Sequence, residues 1–82
     1  MASIARTPDQ LAQLLKARRK KLKLSQAQVG IKVGMRQDTV SALELRPTAS
    51  SVESLYKVLS ALGLELALRE KAGSGAASKE EW

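Results

Sequence analysis

Residues 24–44 read LSQAQVGIKVGMRQDTVSALE, and this stretch decides the fold. Ser25 is a good helix N-cap, and Gln28 three positions on completes a capping box. Val29 and Val33, four apart, share one helical face, and Gly34 can stop that helix by taking a left-handed conformation. Beyond Met35 a second helix turns Val40 and Leu43 inward and Arg36, Gln37, Asp38, Thr39 and Ser41 outward. A short helix, a tight Gly turn and a second helix with a polar leading edge make a helix-turn-helix, a motif that places its second helix in the DNA major groove.

Upstream, residues 1–6 read as a flexible arm. Thr7-Pro8-Asp9 then gives a capping hydroxyl, a proline at the first helical position and an acid near the positive end of the dipole. The first helix is expected over about 8–21, with Leu11, Leu14, Leu15 and Leu22 as its buried stripe. Downstream, Pro47 ends the recognition helix, because the residue before proline is pushed out of helical geometry. Ser50 and Glu53 read as a second capping box opening a fourth helix over about 51–62, its apolar stripe being Val52, Leu55, Tyr56, Leu59 and Leu62. Gly63 closes it. The helical DNA-binding domain therefore spans 7–63.

Residues 64–69, LELALR, alternate with period two and read as a strand. A lone strand has nothing in this chain to pair with, so residues 64–70 are expected to pair with the same strand of a second copy. Leu64, Leu66 and Leu68 would then close over Leu59 and Leu62 at the ends of both fourth helices. An extended segment packed on its own domain is the alternative. Residues 71–82, KAGSGAASKEEW, have the composition of a disordered tail, on which Trp82 is either without a role or an anchor for a partner or a protease.

Composition narrows the function. Eighty-two residues allow one small domain. Tyr56 and Trp82 are the only aromatics, so Leu, Val and Ala must build the core. Cysteine and histidine are absent, which removes disulfides, the usual metal ligands and the commonest general base. No enzyme, cofactor or metal site is expected. The net charge of +6 is unevenly placed: residues 1–57 carry eleven Lys/Arg against four Asp/Glu, and 58–82 carry three against four. The basic face thus belongs to the helices, where it attracts polyanions. No apolar run is long enough to span a bilayer and no secretory h-region opens the chain, so a cytoplasmic, nucleoid-associated protein is expected, with neither membrane nor small-molecule partner.

The 21-residue segment resembles the Cro/C1 and Xre family of repressors: Leu24-Ser25-Gln26, Gly34 and Val40 to Glu44 fall where that family keeps its pattern. Across nearly the whole chain the resemblance extends to the HipB-type antitoxins, with their short arm, four helices, leucine-alternating strand and tail ending in Glu-Trp. Gly30 stands where the family usually has Ala, at about 1 kcal/mol of helix propensity. Ile31 occupies a position that is usually polar, and Ile31 and Leu45 are expected on the surface. The fold implied is all-α, a lambda-repressor-like domain of four to five helices plus one short strand pairing across a homodimer.

Residue chemistry sits beside that resemblance. Gln37 suits adenine N6 and N7, and Arg36 suits guanine O6 and N7. In the family, a Gln at the position of Gln26 bonds a phosphate and braces the Gln at the position of Gln37. Asp38 could accept from a cytosine amino group or cap the recognition helix. Ser25, Thr39 and Ser41 are candidate phosphate or base-edge contacts, and Lys32 and Arg46 candidate phosphate contacts that position without specifying sequence. The run 16–23 holds six basic residues and no acid; the family pattern pairs Arg18 with Glu44. The function implied is a dimeric repressor of a pseudo-palindromic operator that is also the antitoxin of a HipA-like serine/threonine kinase, the two together repressing their own operon. The alternatives are a stand-alone transcription factor of the Xre type, or an interaction module that neutralises a partner and binds DNA weakly.

Overall fold

The computed structural model describes residues 3–71. Four α-helices follow in order: α1 (Pro8–Lys21), α2 (Gln26–Val33), α3 (Gln37–Leu45) and α4 (Val52–Ala61), with a 3-10 turn, Pro47–Ala49, between the last two. Each start has a local cause. Thr7 Oγ1 accepts from the Gln10 backbone N–H, and Gln10 Oε1 accepts in return from the Arg6 N–H. At α2 the capping box forms as its spacing predicts: Ser25 Oγ accepts from the Gln28 N–H at 3.0 Å, and Gln28 Oε1 from the Ser25 N–H at 2.7 Å. At α4 the cap lies one residue later than the Ser50–Glu53 pattern suggests. Ser51 Oγ accepts from the Ser54 N–H, while Ser50 ends the 3-10 turn. Pro47 is the reason, since its turn takes up Ser50 before the helix can begin.

The ends are equally local. Gly34 closes α2 at φ 71°, and Gly63 follows α4 at φ 70°. After α4, Gly63 N–H donates to Ser60 O and Leu64 N–H to Leu59 O, the paired bonds of a Schellman motif. The same pair closes α1, from Lys23 to Lys20 and from Leu24 to Arg19, with Lys23 at φ 61° in the position usually given to glycine.

The core is Leu15, Val29, Val40, Leu43, Val58, Leu59 and Leu62, with Leu11, Leu24, Met35, Leu55, Ala61 and Leu64 packed around it. Helix α2 lies against α3 and α4, and α1 against α3. Gly30 is buried where α2 meets the turn to α3, and a Cβ there would collide with the Met35 carbonyl. The backbone approach, more than helix propensity, therefore accounts for glycine at this position.

Two expectations about burial need correction. Val52 and Tyr56 are exposed, because α4 turns the face carrying Val58, Leu59 and Leu62 inward. Leu22 falls on the α1 C-cap and is exposed as well. Leu59 and Leu62 are buried as their stripe predicts, only 5% and 1% exposed, in the core of their own chain. Ile31 and Leu45 are on the surface as expected.

Leu64 to Lys71 forms no regular element within the chain. Its leucines are graded: Leu64 packs on the core, Leu66 borders a groove of about 390 Å³ against Leu11, Val52 and Leu55, and Leu68 lies 89% exposed. Trp82 and the rest of the expected tail lie outside the described residues.

Candidate nucleic-acid interface

The polar surface of α3 is organised from an ion pair beneath it. Arg19 on α1 grips Glu44 on α3 in two-pronged fashion, Nε donating to Oε2 at 2.7 Å and Nη2 to Oε1 at 3.0 Å. Its third nitrogen, Nη1, donates to the Leu24 carbonyl at 2.9 Å, so one guanidinium ties α1 to α3 and to the segment leading into α2. The partner of Glu44 is thus Arg19, where the family pattern suggested Arg18. Arg18 points elsewhere, its Nε donating to the Leu62 carbonyl at 3.0 Å and fastening α1 to the end of α4. Neighbours on a helix point about 100° apart, so the two arginines cannot share one target.

Both members of the pair are nearly closed to solvent, with side chains 11% and 5% exposed. Burial pushes the Glu44 carboxyl up, but hydrogen bonds from Arg19 and Gln26 and the charges of Arg19 and Lys16 outweigh it. The carboxyl is held below the ordinary glutamate value. The Arg19 guanidinium is pushed up by its hydrogen bond to Glu44, burial opposing.

From this pair a relay runs to the tip of the recognition helix. Gln26 Nε2 donates to Glu44 Oε1 at 3.0 Å, and Gln37 Nε2 donates to Gln26 Oε1 at 2.6 Å. The direction of the chain follows from Glu44, because an ionised carboxylate only accepts. Gln26 must therefore turn its NH₂ toward Glu44 and its oxygen toward Gln37. Gln37 must in turn spend one N–H on Gln26. Its Oε1 and its second N–H remain, side by side on an exposed residue at the first turn of α3. One acceptor beside one donor matches adenine N6–H and N7 in the major groove.

The other expected contact residues surround this point. Arg36 is the α3 N-cap residue, exposed, and its Nη2 donates to Asp38 Oδ2 at 3.3 Å. No side-chain hydrogen bond caps α3; Asp38 lies in its first turn, where a negative charge suits the helix dipole. Ser25 is exposed with its oxygen engaged by Gln28, which leaves its O–H able to donate. Lys32 at the end of α2 and Arg46 at the end of α3 are exposed cations, while Thr39 and Ser41 are half-buried on the flanks of α3. Of the basic run, Arg18 and Arg19 are consumed internally; Lys16, Lys20, Lys21 and Lys23 are exposed. The residue that sequence reasoning missed is Arg19. Only its place in the basic run marked it, and nothing in the spacing separated it from Arg18.

Comparison with known proteins agrees with this fold. A family model described as helix-turn-helix matches residues 15–69. Antitoxin HipB of Escherichia coli (strain K12) is 28% identical over 75 residues, which cover 92% of this chain and 85% of that protein. Two solved HipB chains, one in a HipB-O4 20mer complex and one in a HipA-HipB-O2-O3 complex, each superpose with a TM-score of 0.79 at 28% identity. The match covers 85% of this chain and 97% of each of theirs.

Proposed function

We propose, from the premise that this chain belongs to the helix-turn-helix family, that it is a sequence-specific DNA-binding repressor acting as the antitoxin of a HipA-like kinase. The observation that carries the DNA reading is the relay Arg19–Glu44–Gln26–Gln37, which leaves Gln37 with one acceptor and one donor for a base edge. Exposed Lys32 and Arg46, with the Ser25 hydroxyl, surround that point with phosphate donors, and exposed Arg36 beside it suits a guanine edge. Thr39 and Ser41 flank it. The antitoxin reading is supported by likeness to HipB, which is solved together with HipA. The protein so read works in the cytoplasm, on the nucleoid, and performs no chemistry of its own. No helix among the described residues is long and apolar enough to cross a membrane.

Two copies are needed for an operator. Two-fold-related recognition helices about 34 Å apart would enter successive major grooves of a pseudo-palindromic site. The extended segment from Leu64 supplies the contact, with Leu66 and Leu68 exposed on it. Leu59 and Leu62, buried at the end of α4, are the residues over which the segment would close.

The test is Gln37→Ala, measured by fluorescence anisotropy on a duplex selected by the unaltered chain. Removing a bidentate base contact is expected to cost about 1–3 kcal/mol of discrimination at one base pair, with weak general affinity retained. Unchanged sequence preference would refute the assignment of Gln37. Co-expression with a HipA-like kinase tests the partner: co-purification and loss of kinase toxicity are expected, and their absence would leave a stand-alone transcription factor.

A further inference from the structure

We infer that Asp38 is a specificity-determining residue that selects a cytosine next to the base read by Gln37, a reading that rests on the proposed DNA function. An acid on a DNA-facing surface repels phosphates, so its presence at the first turn of the recognition helix asks for a cause. An acid in the first turn suits the helix dipole, but α3 has no side-chain cap bond to hold the carboxylate, and Asp38 is met by Arg36 instead. Arg36 Nη2 reaches Asp38 Oδ2 at 3.3 Å, with both side chains largely in solvent. An exposed pair of this kind contributes little to stability. It does set a geometry. With Oδ2 turned toward Arg36, Oδ1 remains as an acceptor on an exposed residue one helix position after Gln37, placed for a neighbouring base pair rather than the same one.

The chemistry of the groove then names the ligand atom. A carboxylate oxygen can only accept, and cytosine N4 is a donor on the major-groove edge, whereas guanine presents acceptors there. Adenine N6–H₂ is the other donor, but it stands beside the N7 acceptor, which a carboxylate repels. Arg36 lowers the repulsion from phosphates by placing a cation against the same carboxylate. Asp38 therefore rejects guanine and thymine edges by unpaired acceptor against acceptor, and favours cytosine.

The experiment selects binding sites for the full-length chain from a randomised double-stranded DNA library, in parallel for unaltered protein, Asp38→Ala, Asp38→Asn and Gln37→Ala. The unaltered chain is expected to enrich an adenine with cytosine at an adjacent pair in each half-site. Asp38→Ala should lose the cytosine preference, by about 5- to 100-fold, and keep the adenine. Asp38→Asn, which can donate as well as accept, should relax the same position alone, and Gln37→Ala should lose the adenine and keep the cytosine. An affinity that rises equally for all sequences in Asp38→Ala, with the profile unchanged, would overturn the inference and leave only charge repulsion. A selected site with no cytosine beside the adenine would overturn it too. Failure of the unaltered chain to enrich any sequence would instead overturn the DNA-reading function itself.

Discussion

The two ends of this molecule are finished to different degrees. At the reading end, Arg19, Glu44, Gln26 and Gln37 engage one another across three helices, and the polarity of each bond follows from the acceptor-only carboxylate at the centre. At the other end, the segment after Gly63 carries leucines that become steadily more exposed, from Leu64 packed on the core to Leu68 with 89% of its surface in solvent. The proposed reader is thus organised within one chain. The C-terminal segment offers an apolar edge that a second chain would complete. On the proposed function, affinity for a groove and register on an operator reside in different parts of the sequence.

The sharpest way to break the finished end is Glu44→Ala. It strands the Arg19 guanidinium in a nearly closed site, and removing one partner of a buried pair costs about 3–5 kcal/mol. A domain of this size should lose roughly 15 °C or more of melting temperature, and Gln26 would lose the acceptor that sets its orientation. Glu44→Gln tests the charge separately. The Glu44 carboxyl titrates below its ordinary value in the folded chain, so its stabilisation is fully present above the ordinary glutamate range, near pH ~4.3. It is lost as pH falls through the lower, folded value. Melting followed from neutral to acid pH should therefore decline more steeply for the unaltered chain than for Glu44→Gln. Parallel curves would remove Glu44 from the acid limb.

The unfinished end is tested by Leu68→Glu. Leu68 is so exposed that the change should leave the isolated chain's stability within about 0.5 kcal/mol. Across a dimer it removes an apolar contact of about 1.5–3 kcal/mol per copy and places like charges near a two-fold axis. Sedimentation velocity should show dimers of the unaltered chain at micromolar concentration and monomers of the variant. A monomeric unaltered chain would refute strand pairing; a variant that stays dimeric would put the interface elsewhere.

What the sequence revealed follows the same division. Helix starts and stops are local events, so the Ser25–Gln28 box, the Thr7 cap and the left-handed turns at Gly34 and Gly63 could be read from spacing alone. Tertiary choices could not. Helix α4 carries two overlapping apolar stripes that share Leu55, Leu59 and Leu62, and only packing decides that Val58 goes in while Val52 and Tyr56 stay out. Arg18 and Arg19 are equivalent by composition, and helix phase gives them to Leu62 and Glu44 respectively. At the interface, it was the family resemblance that implied Gln26 and Gln37 as a pair. The orientation of their amides needed the buried carboxylate, whose partner lies 25 residues away in sequence.

The smallest effect concerns how each end begins. Helices α1 and α4 close with the same pair of backbone bonds, α1 leading into the reader and α4 into the C-terminal segment. At α4 the left-handed residue is Gly63; at α1 it is Lys23, which has a Cβ to accommodate. A side chain in that conformation costs about 1 kcal/mol. Lys23→Gly is therefore expected to raise stability by somewhat less than that, because glycine also enlarges the entropy of the unfolded chain. The matching change, Gly63→Ala, should lower it by a similar amount, with Arg18 Nη2 at an ordinary 3.6 Å contact distance from the new Cβ. Chemical denaturation of both variants measures the pair. Opposite signs would establish that the two helix ends share one strained backbone position, relieved at the edge of the C-terminal segment and left unrelieved at the edge of the reader. Should Lys23→Gly destabilise instead, the stem of Lys23 contributes packing that outweighs its backbone strain. The turn into the reader would then be held by its side chain as well as by its hydrogen bonds.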